Sequence, residues 1–189
     1  SRYTTIKVEK ADRIAVLTLN RPKELNTINR TMHLELEDLF EDIANDPEVY
    51  VAVLTGTGRV FSAGGDLKNQ WAWVHQGAPY VDLYMARRLI HNILKVEQPI
   101  ISALNGDTIG LAANIALLCD IIIAVDSARL GDPHVHVGLV AGDSGCIIWP
   151  LLAGMAKAKE LLLTGDLIGA RDAERLGIIN HVVSKEELM

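Results

Sequence analysis

The chain has 189 residues, a formal net charge of −6 and 49% hydrophobic residues. This length predicts a single domain, residues 1–189, with enough apolar residues to bury a core. The acidic balance disfavours a nucleic-acid-binding surface. No apolar run reaches the roughly 18 residues that a membrane span needs, and no signal-peptide pattern occurs at the start, so we expect a cytoplasmic protein. Cys119 and Cys146 lack metal-site or CxxC spacing and are predicted to be reduced core thiols.

Strands and helices alternate along the sequence. The predicted strands are residues 5–8, 14–19, 51–55, 99–104, 120–125 and 178–183. The predicted helices are residues 30–45, a long helix through Val81, Met85, Leu89 and Ile93, and then 110–118, segments within 143–163, and 170–176. The central apolar runs are typical of strands covered on both faces. The alternation favours parallel pairing with right-handed crossovers, so we expect an α/β fold with parallel sheets flanked by helices.

Two glycine-bearing segments leave buried strands and enter helices. The first is Phe61-Ser62-Ala63-Gly64-Gly65-Asp66-Leu67, and the second runs from Asn105-Gly106 through Gly110-Leu111 to Asn114. Small residues let a ligand approach the main chain, and N–H groups at a helix start favour negative charge. Together the segments could supply two backbone donors to one oxygen, which is an oxyanion hole. Ordinary strand-to-helix turns are the alternative interpretation.

A third segment, residues 131–145, contains His134 and Asp143 in glycine-rich surroundings. A histidine oriented by a carboxylate is a general base with a pKa near neutrality, whereas a surface histidine and a helix N-cap aspartate would be structural. Asp132, His134 and His136 could also bind a metal, but no further cluster supplies ligands, so we predict no metal. Ser144 lies in a Gly-Asp-Ser-Gly stretch like that of trypsin-like proteases, and no other feature of the sequence fits that class.

In combination, these segments resemble the crotonase superfamily, the enoyl-CoA hydratase/isomerase family. Residues 21–26 are similar to its segment beside coenzyme A, residues 61–67 and 105–121 to its two oxyanion loops, and residues 163–166 and 170–177 to later motifs. The resemblance implies a spiral of ββα repeats, a homotrimer or homohexamer, and acyl-CoA ligands with no separate cofactor. We expect the family's C-terminal helical region to begin near residue 186 and to lie outside this sequence.

Carried over by position, the resemblance implies that the N–H groups of Ala63 and Leu111 form the oxyanion hole. The substrate-binding positions that it implies are Lys23, Leu25, Gly64, Asp66 and Gly110. The family's hydratases use two glutamates, and the matching positions here are Asn114 and His134. An asparagine cannot exchange a proton near neutral pH, so we predict that two-glutamate hydration is lost.

The leading hypothesis is an enzyme that stabilises an enolate of an acyl-CoA thioester or a β-dicarbonyl. In this hypothesis Asp143 orients His134, His134 activates water or moves a proton, and Asn114 positions the substrate or a water molecule. The His134–Asp143 pair is also similar to the β-diketone hydrolases of the superfamily, which split a C–C bond. A CoA-independent β-diketone hydrolase therefore stays open, as does a catalytically silent member that acts as an assembly subunit.

Overall fold

The computed structural model describes residues 2–68 and 83–189. The strands are β1 (Ile6–Ala11), β2 (Ile14–Leu19), β3 (Val51–Gly56), β4 (Ile100–Leu104), β5 (Thr108–Ile109), β6 (Ile121–Val125), β7 (Arg129–Gly131), β8 (Ile168–Gly169) and β9 (His181–Val183). The α-helices are α1 (Arg30–Ala44), α2 (Leu83–Leu94), α3 (Leu111–Leu117), α4 (Gly145–Thr164) and α5 (Ala170–Arg175). Short 3-10 helices cover Pro22–Glu24, Pro133–Val137 and Lys185–Glu187. Val81 and the side chain of Met85, which entered the prediction of α2, lie outside the described part.

The larger sheet has six strands in the order β1-β2-β3-β4-β6-β9. Only the β1–β2 pair in it is antiparallel, and every later pair is parallel. The β1–β2 turn consists of Asp12 and Arg13, with φ of 49° and 67°, as a two-residue hairpin with the right-handed strand twist requires. The apolar strands β3, β4 and β6 pair in parallel with one another, as the sequence predicts.

The core lies between this sheet and the helices that cross over it. Leu36, Leu39, Phe40 and Ile43 are buried on one face of α1, which confirms the helical periodicity read from the sequence. The Asn29 side chain caps this helix by accepting a hydrogen bond from the N–H of Met32, a contact worth about 1 kcal/mol. Among the helices of residues 2–68 and 83–189, none has the length and apolarity to cross a bilayer.

A second sheet, in the order β5-β7-β8, was absent from the sequence prediction. Its strands have two or three residues each, too few to produce an alternating pattern. The last strand was also predicted too long, because residues 178–180 precede β9. Cys119 is buried, but Cys146 is exposed, so the prediction of two core thiols is wrong for Cys146, which lies in the first turn of α4.

Candidate functional site

The loop after β3 is held by a buried asparagine from the segment after β2. Asn26 is fully buried, and its amide donates to the carbonyls of Thr57, Val60 and Phe61 at 2.9–3.1 Å. The Ser62 hydroxyl donates to the Asn26 carbonyl at 2.7 Å. These contacts satisfy the carbonyls of a buried loop and fix the path of the chain up to Ser62.

The loops after β3 and β4 lie side by side. The Ser62 N–H donates to the Asp107 carbonyl at 3.2 Å, and the Ile109 N–H donates to the Ser62 carbonyl at 3.0 Å. Gly64 has a φ of 85°, and a Cβ on it would lie 2.6 Å from the Ile109 carbonyl oxygen and 3.7 Å from the Gly110 Cα. A side chain is therefore excluded at residue 64, which packs directly against Ile109 and Gly110, the two residues before Leu111.

The Ala63 N–H is not available to a ligand. It donates to the Leu25 carbonyl at 3.0 Å, so the oxyanion role expected for Ala63 conflicts with the geometry. Gly65 forms a parallel bridge with Ile28, made by the Gly64 carbonyl and the Asp66 N–H. In a parallel bridge the central residue's own N–H points away from the partner strand. Within the described residues the Gly65 N–H donates no hydrogen bond, so it is a free donor beside the adjoining loop.

Leu111 is the first residue of α3, whose N-cap is Gly110 with a φ of 58°. The first N–H groups of a helix have no acceptor within the helix, and no acceptor for the Leu111 N–H occurs in the described part of the chain. A Cβ on Gly110 would lie 3.7 Å from Cε1 of His134. The predicted donor at Leu111 is therefore free, and His134 lies beside it.

His134 lies between two carboxylates. Its Nδ1 forms a short hydrogen bond with Oδ1 of Asp132, and its Nε2 lies 3.4 Å from Oδ2 of Asp143. Asp132 also accepts a hydrogen bond from the His134 N–H, at the start of the 3-10 helix. The expectation that Asp143 orients the ring is corrected: Asp132 fixes the ring through Nδ1, and Asp143 faces the Nε2 atom.

The pKa values of these three groups follow from burial and from one another. Burial alone would lower the pKa of His134, but the hydrogen bond to Asp132 and the charges of both aspartates outweigh it and raise that pKa above 6.5. Burial favours the neutral form of Asp132, yet its bonds to His134 and Asn114 hold its pKa below 3.8. Burial, followed by the charge of Asp132, raises the pKa of Asp143 against the attraction of His134.

Asn114 is fully buried on α3 and has its side-chain groups engaged. Its Nδ2 donates to Asp132 Oδ2 at 2.8 Å and to Asp143 Oδ1 at 2.7 Å, and its Oδ1 accepts from Nε1 of Trp149 at 2.9 Å. No N–H of the amide remains for a substrate or a water molecule. The expectation that Asn114 contacts the substrate is therefore corrected: it contacts the two aspartates that flank His134.

The three residues that were considered as possible metal ligands, Asp132, His134 and His136, do not face one another. Nε2 of His136 hydrogen-bonds the Thr164 carbonyl at 2.7 Å, which directs this ring towards the end of α4. A different set of possible ligand atoms does lie close together: one atom from each of Asp132, His134 and Asp143, all within 4.8 Å of one another. Hydrogen bonds among these groups and to Asn114 already satisfy them, so the arrangement fits an oriented histidine without a metal.

Ser144 does not resemble an activated nucleophile. Its side chain is 6% exposed, and its hydroxyl has no hydrogen-bond partner among the residues that are described. Its φ is 81°, in the left-handed region that non-glycine residues rarely adopt. Among residues 2–68 and 83–189 no base hydrogen-bonds the Ser144 hydroxyl, so the described residues provide no support for protease-like chemistry.

The other predicted substrate positions lie in or beside the same loops. Lys23 is exposed in the Pro22–Glu24 helix, and Leu25 follows it with a φ of 53°. Asp66 is buried and pairs with Arg21 at 3.3 Å, so its side chain fixes the two segments against each other. Substrate contacts by these residues and by Gly64 and Gly110 stay predictions.

Three contributors to the site were missed from the sequence. Asp132 was considered only as a metal ligand, although its spacing to His134, two residues on, is the spacing of a side-chain turn that caps a following N–H. Gly65 was passed over for Ala63, because spacing alone does not show which N–H a loop uses internally. Trp149 had no signal, since a tryptophan in an apolar helix is usually core.

The amino-acid sequence is similar to that of known enoyl-CoA hydratases. Residues 9–189 match the sequence profile described as enoyl-CoA hydratase/isomerase. The chain is 36% identical over 188 residues to the crotonyl-CoA hydratase of Syntrophomonas wolfei, covering 99% of the chain and 72% of that protein. It is 37% identical over 184 residues to the short-chain-enoyl-CoA hydratase of Clostridium acetobutylicum, covering 96% and 70%.

Solved structures agree with the sequence matches. The crystal structure of enoyl-CoA hydratase from Bacillus anthracis superposes with a TM-score of 0.89 at 30% identity, covering 98% of this chain and 72% of that one. The matches identify the parallel α/β core as the fold of an acyl-CoA enzyme superfamily. The chain belongs to the enoyl-CoA hydratase/isomerase family, within the crotonase superfamily, and has the crotonase fold.

Proposed function

We propose that this protein is an enzyme that binds an acyl-CoA thioester and stabilises its enolate. In this proposal the N–H groups of Gly65 and Leu111 hold the thioester oxygen, and Nε2 of His134 moves a proton of the acyl group. The observation that carries it is one imidazole, fixed by Asp132, beside two adjoining loops that each leave a backbone N–H free.

The two donors suit the charge that develops during proton abstraction. Removing a proton next to a thioester carbonyl places negative charge on the carbonyl oxygen, and preorganised N–H donors stabilise that charge more than they stabilise the neutral thioester. Backbone donors at the start of α3 also carry the favourable helix-dipole field. The reactive carbon would then lie towards His134, which adjoins Gly110.

The acid–base chemistry differs from that of two carboxylates. A single imidazole, with its Nδ1 fixed by Asp132, can accept a proton at Nε2 and return it. Asp143 faces the same Nε2 atom, and burial raises the pKa of this carboxyl group above its ordinary value. This arrangement favours proton transfer or isomerisation of the acyl chain, and the names of the related hydratases supply the CoA thioester as the substrate class.

The direct test is exchange of acyl α-protons in D2O, followed by proton NMR. Butyryl-CoA and 3-hydroxybutyryl-CoA are incubated with the protein, with His134→Ala and with His136→Ala, the matched control at the exposed histidine. We expect wild type and His136→Ala to exchange the α-protons, and His134→Ala to slow the exchange by roughly 10²–10⁴-fold, the usual worth of a general base.

The same assay separates the alternatives. Exchange or cleavage of a CoA-free β-diketone without any reaction of the thioesters would contradict the proposal and favour a β-diketone hydrolase. Binding of acyl-CoA without exchange would contradict it in favour of a silent assembly subunit. Equal rates in wild type and His134→Ala would remove His134 from the proposed chemistry.

A further inference from the structure

The uncharged side chain of Asn114 links the two aspartates that flank His134. Asn114 lies on α3, and Asp132 and His134 follow β7. Asp143 lies just before α4, and Trp149 lies one turn into that helix. We propose that Asn114, locked in orientation by Trp149, is a positioning residue that holds Asp132 and Asp143 on either side of His134. Its chemical purpose rests on the proposed function, whereas its effect on the two aspartates is measurable without a substrate.

The hydrogen-bond chemistry allows only one orientation of this amide. The indole N–H of Trp149 is solely a donor and an ionised carboxylate is solely an acceptor. The Asn114 oxygen must therefore face Trp149, and its NH2 group must face the aspartates. Rotating the amide by 180° would direct its oxygen at two carboxylates and its NH2 at an N–H, leaving buried polar groups unpaired.

The start of α4 is built around this contact. A Cβ on Gly145 would lie 2.5 Å from Asp132 Oδ2 and 3.0 Å from Asn114 Nδ2. Residue 145 must therefore lack a side chain for the helix to cover the amide and the carboxylate together. Trp149, one turn later, is fully buried and reaches back to the Asn114 oxygen, so the same helix covers and orients the amide.

An amide is the side chain that two adjacent carboxylates require at this position. Its two N–H donors favour the charged forms of Asp132 and Asp143. This contact acts to lower the pKa of each aspartate, although burial leaves the pKa of Asp143 raised overall. It neither binds nor releases a proton near neutrality, so it does not compete with His134. A carboxylate at residue 114 would instead be a third negative group facing the other two in a buried site.

The experiment is a carbon-13 NMR titration of the free, full-length protein labelled at aspartate Cγ. Asn114→Ala removes both donors, and we expect the titration midpoints of Asp132 and Asp143 to rise by roughly one pH unit, the scale of losing one donor to a carboxylate. Trp149→Phe keeps an aromatic side chain but removes the indole N–H that orients the Asn114 amide. We expect a smaller rise in the titration midpoints of Asp132 and Asp143. Asn180→Ala is the control, because Asn180 bonds the Ile122 N–H on the main sheet instead.

Unchanged midpoints in a folded Asn114→Ala would overturn the proposal, as would an equal rise in Asn180→Ala. If Asn114→Ala does not fold, Trp149→Phe decides alone, and midpoints equal to wild type would overturn the proposal. Failure of the proposed function would appear in the proton-exchange assay and leave these titrations unaltered. A residue that only fills space would lower the melting temperature in both variants without moving either midpoint.

Discussion

Nε2 of His134 lies 3.4 Å from Oδ2 of Asp143, on the side of the ring opposite to its hydrogen bond with Asp132. The distance is long for a hydrogen bond, so the contact is mainly electrostatic, whereas the Nδ1 contact sets the tautomer. The two aspartates therefore have unequal effects on the ring, and substitutions that remove one charge at a time separate them.

Asp132→Asn should reduce the proton-transfer rate more than Asp143→Asn. Loss of Asp132 removes the acceptor that fixes the Nδ1 proton, and in other enzymes an equivalent change costs on the order of 10⁴-fold in kcat. Loss of Asp143 removes one charge that raises the pKa of His134, so the effect should be about tenfold or less, with the acid limb of the pH–rate profile moving to lower pH. The opposite order of rates would show that Asp143 orients the ring.

Leu111→Pro tests the backbone donor of α3. Proline at the first position of a helix keeps the helical backbone but has no N–H, so the rate should fall by roughly 10²–10³-fold, as for loss of one oxyanion donor. Leu111→Ala is the matched control, since it loses the side chain and retains the N–H. Equal rates in the two variants would exclude the Leu111 N–H from the reaction.

Hydration of crotonyl-CoA should be far slower than the 1–10³ per second typical of enzymes. The resemblance implies that Asn114 and His134 occupy the positions of the two glutamates, and the Asn114 amide is fully engaged by Asp132, Asp143 and Trp149. Asn114→Glu should not restore hydration, because the new carboxylate would face two others. Absorbance of the enoyl thioester follows the reaction, and wild-type turnover in the typical range would refute this prediction.

The stability of the protein should depend on pH through His134. Because the folded-state pKa lies above the ordinary 6.5, protonation of His134 stabilises the fold fully below pH 6.5, and this contribution is lost as the pH rises through the folded-state pKa. The difference in unfolding free energy between wild type and His134→Gln should therefore fall as the pH increases above 6.5. Urea unfolding at several pH values measures it, and a difference that grows with pH would contradict the shift.

Ser144→Gly should stabilise the protein by about 1 kcal/mol. The substitution relieves a left-handed backbone and removes a buried hydroxyl without a partner in the described residues. Ser144→Ala removes the hydroxyl but keeps the Cβ, so it should gain less. Urea unfolding compares the free energies of unfolding of the three proteins. A lower value for Ser144→Gly than for wild type would show that the serine side chain or its backbone conformation stabilises the fold.

The strands that carry the site were predictable, because residues 51–55 and 99–104 are continuous apolar runs that end in glycine-bearing loops. His134 was also predictable, as a titratable group in a segment with few charges. Its partners were not, because the nine-residue spacing to Asp143 was as compatible with Nδ1 as with Nε2. The use of the Ala63 N–H by the Leu25 carbonyl was equally hidden, since it joins segments 38 residues apart that no local pattern relates.

The hydrogen bonds between Ser62 and the Asp107–Ile109 segment have a consequence for how such an enzyme can diverge. They join main-chain atoms, so the relative placement of the two loops is largely insensitive to which side chains the neighbouring positions carry. The side chains at residues 114 and 134 can then be exchanged over generations, or by a protein engineer, while the proposed carbonyl-binding loops are inherited unchanged. Redesign towards another acyl reaction would begin at those two positions and leave the loops alone.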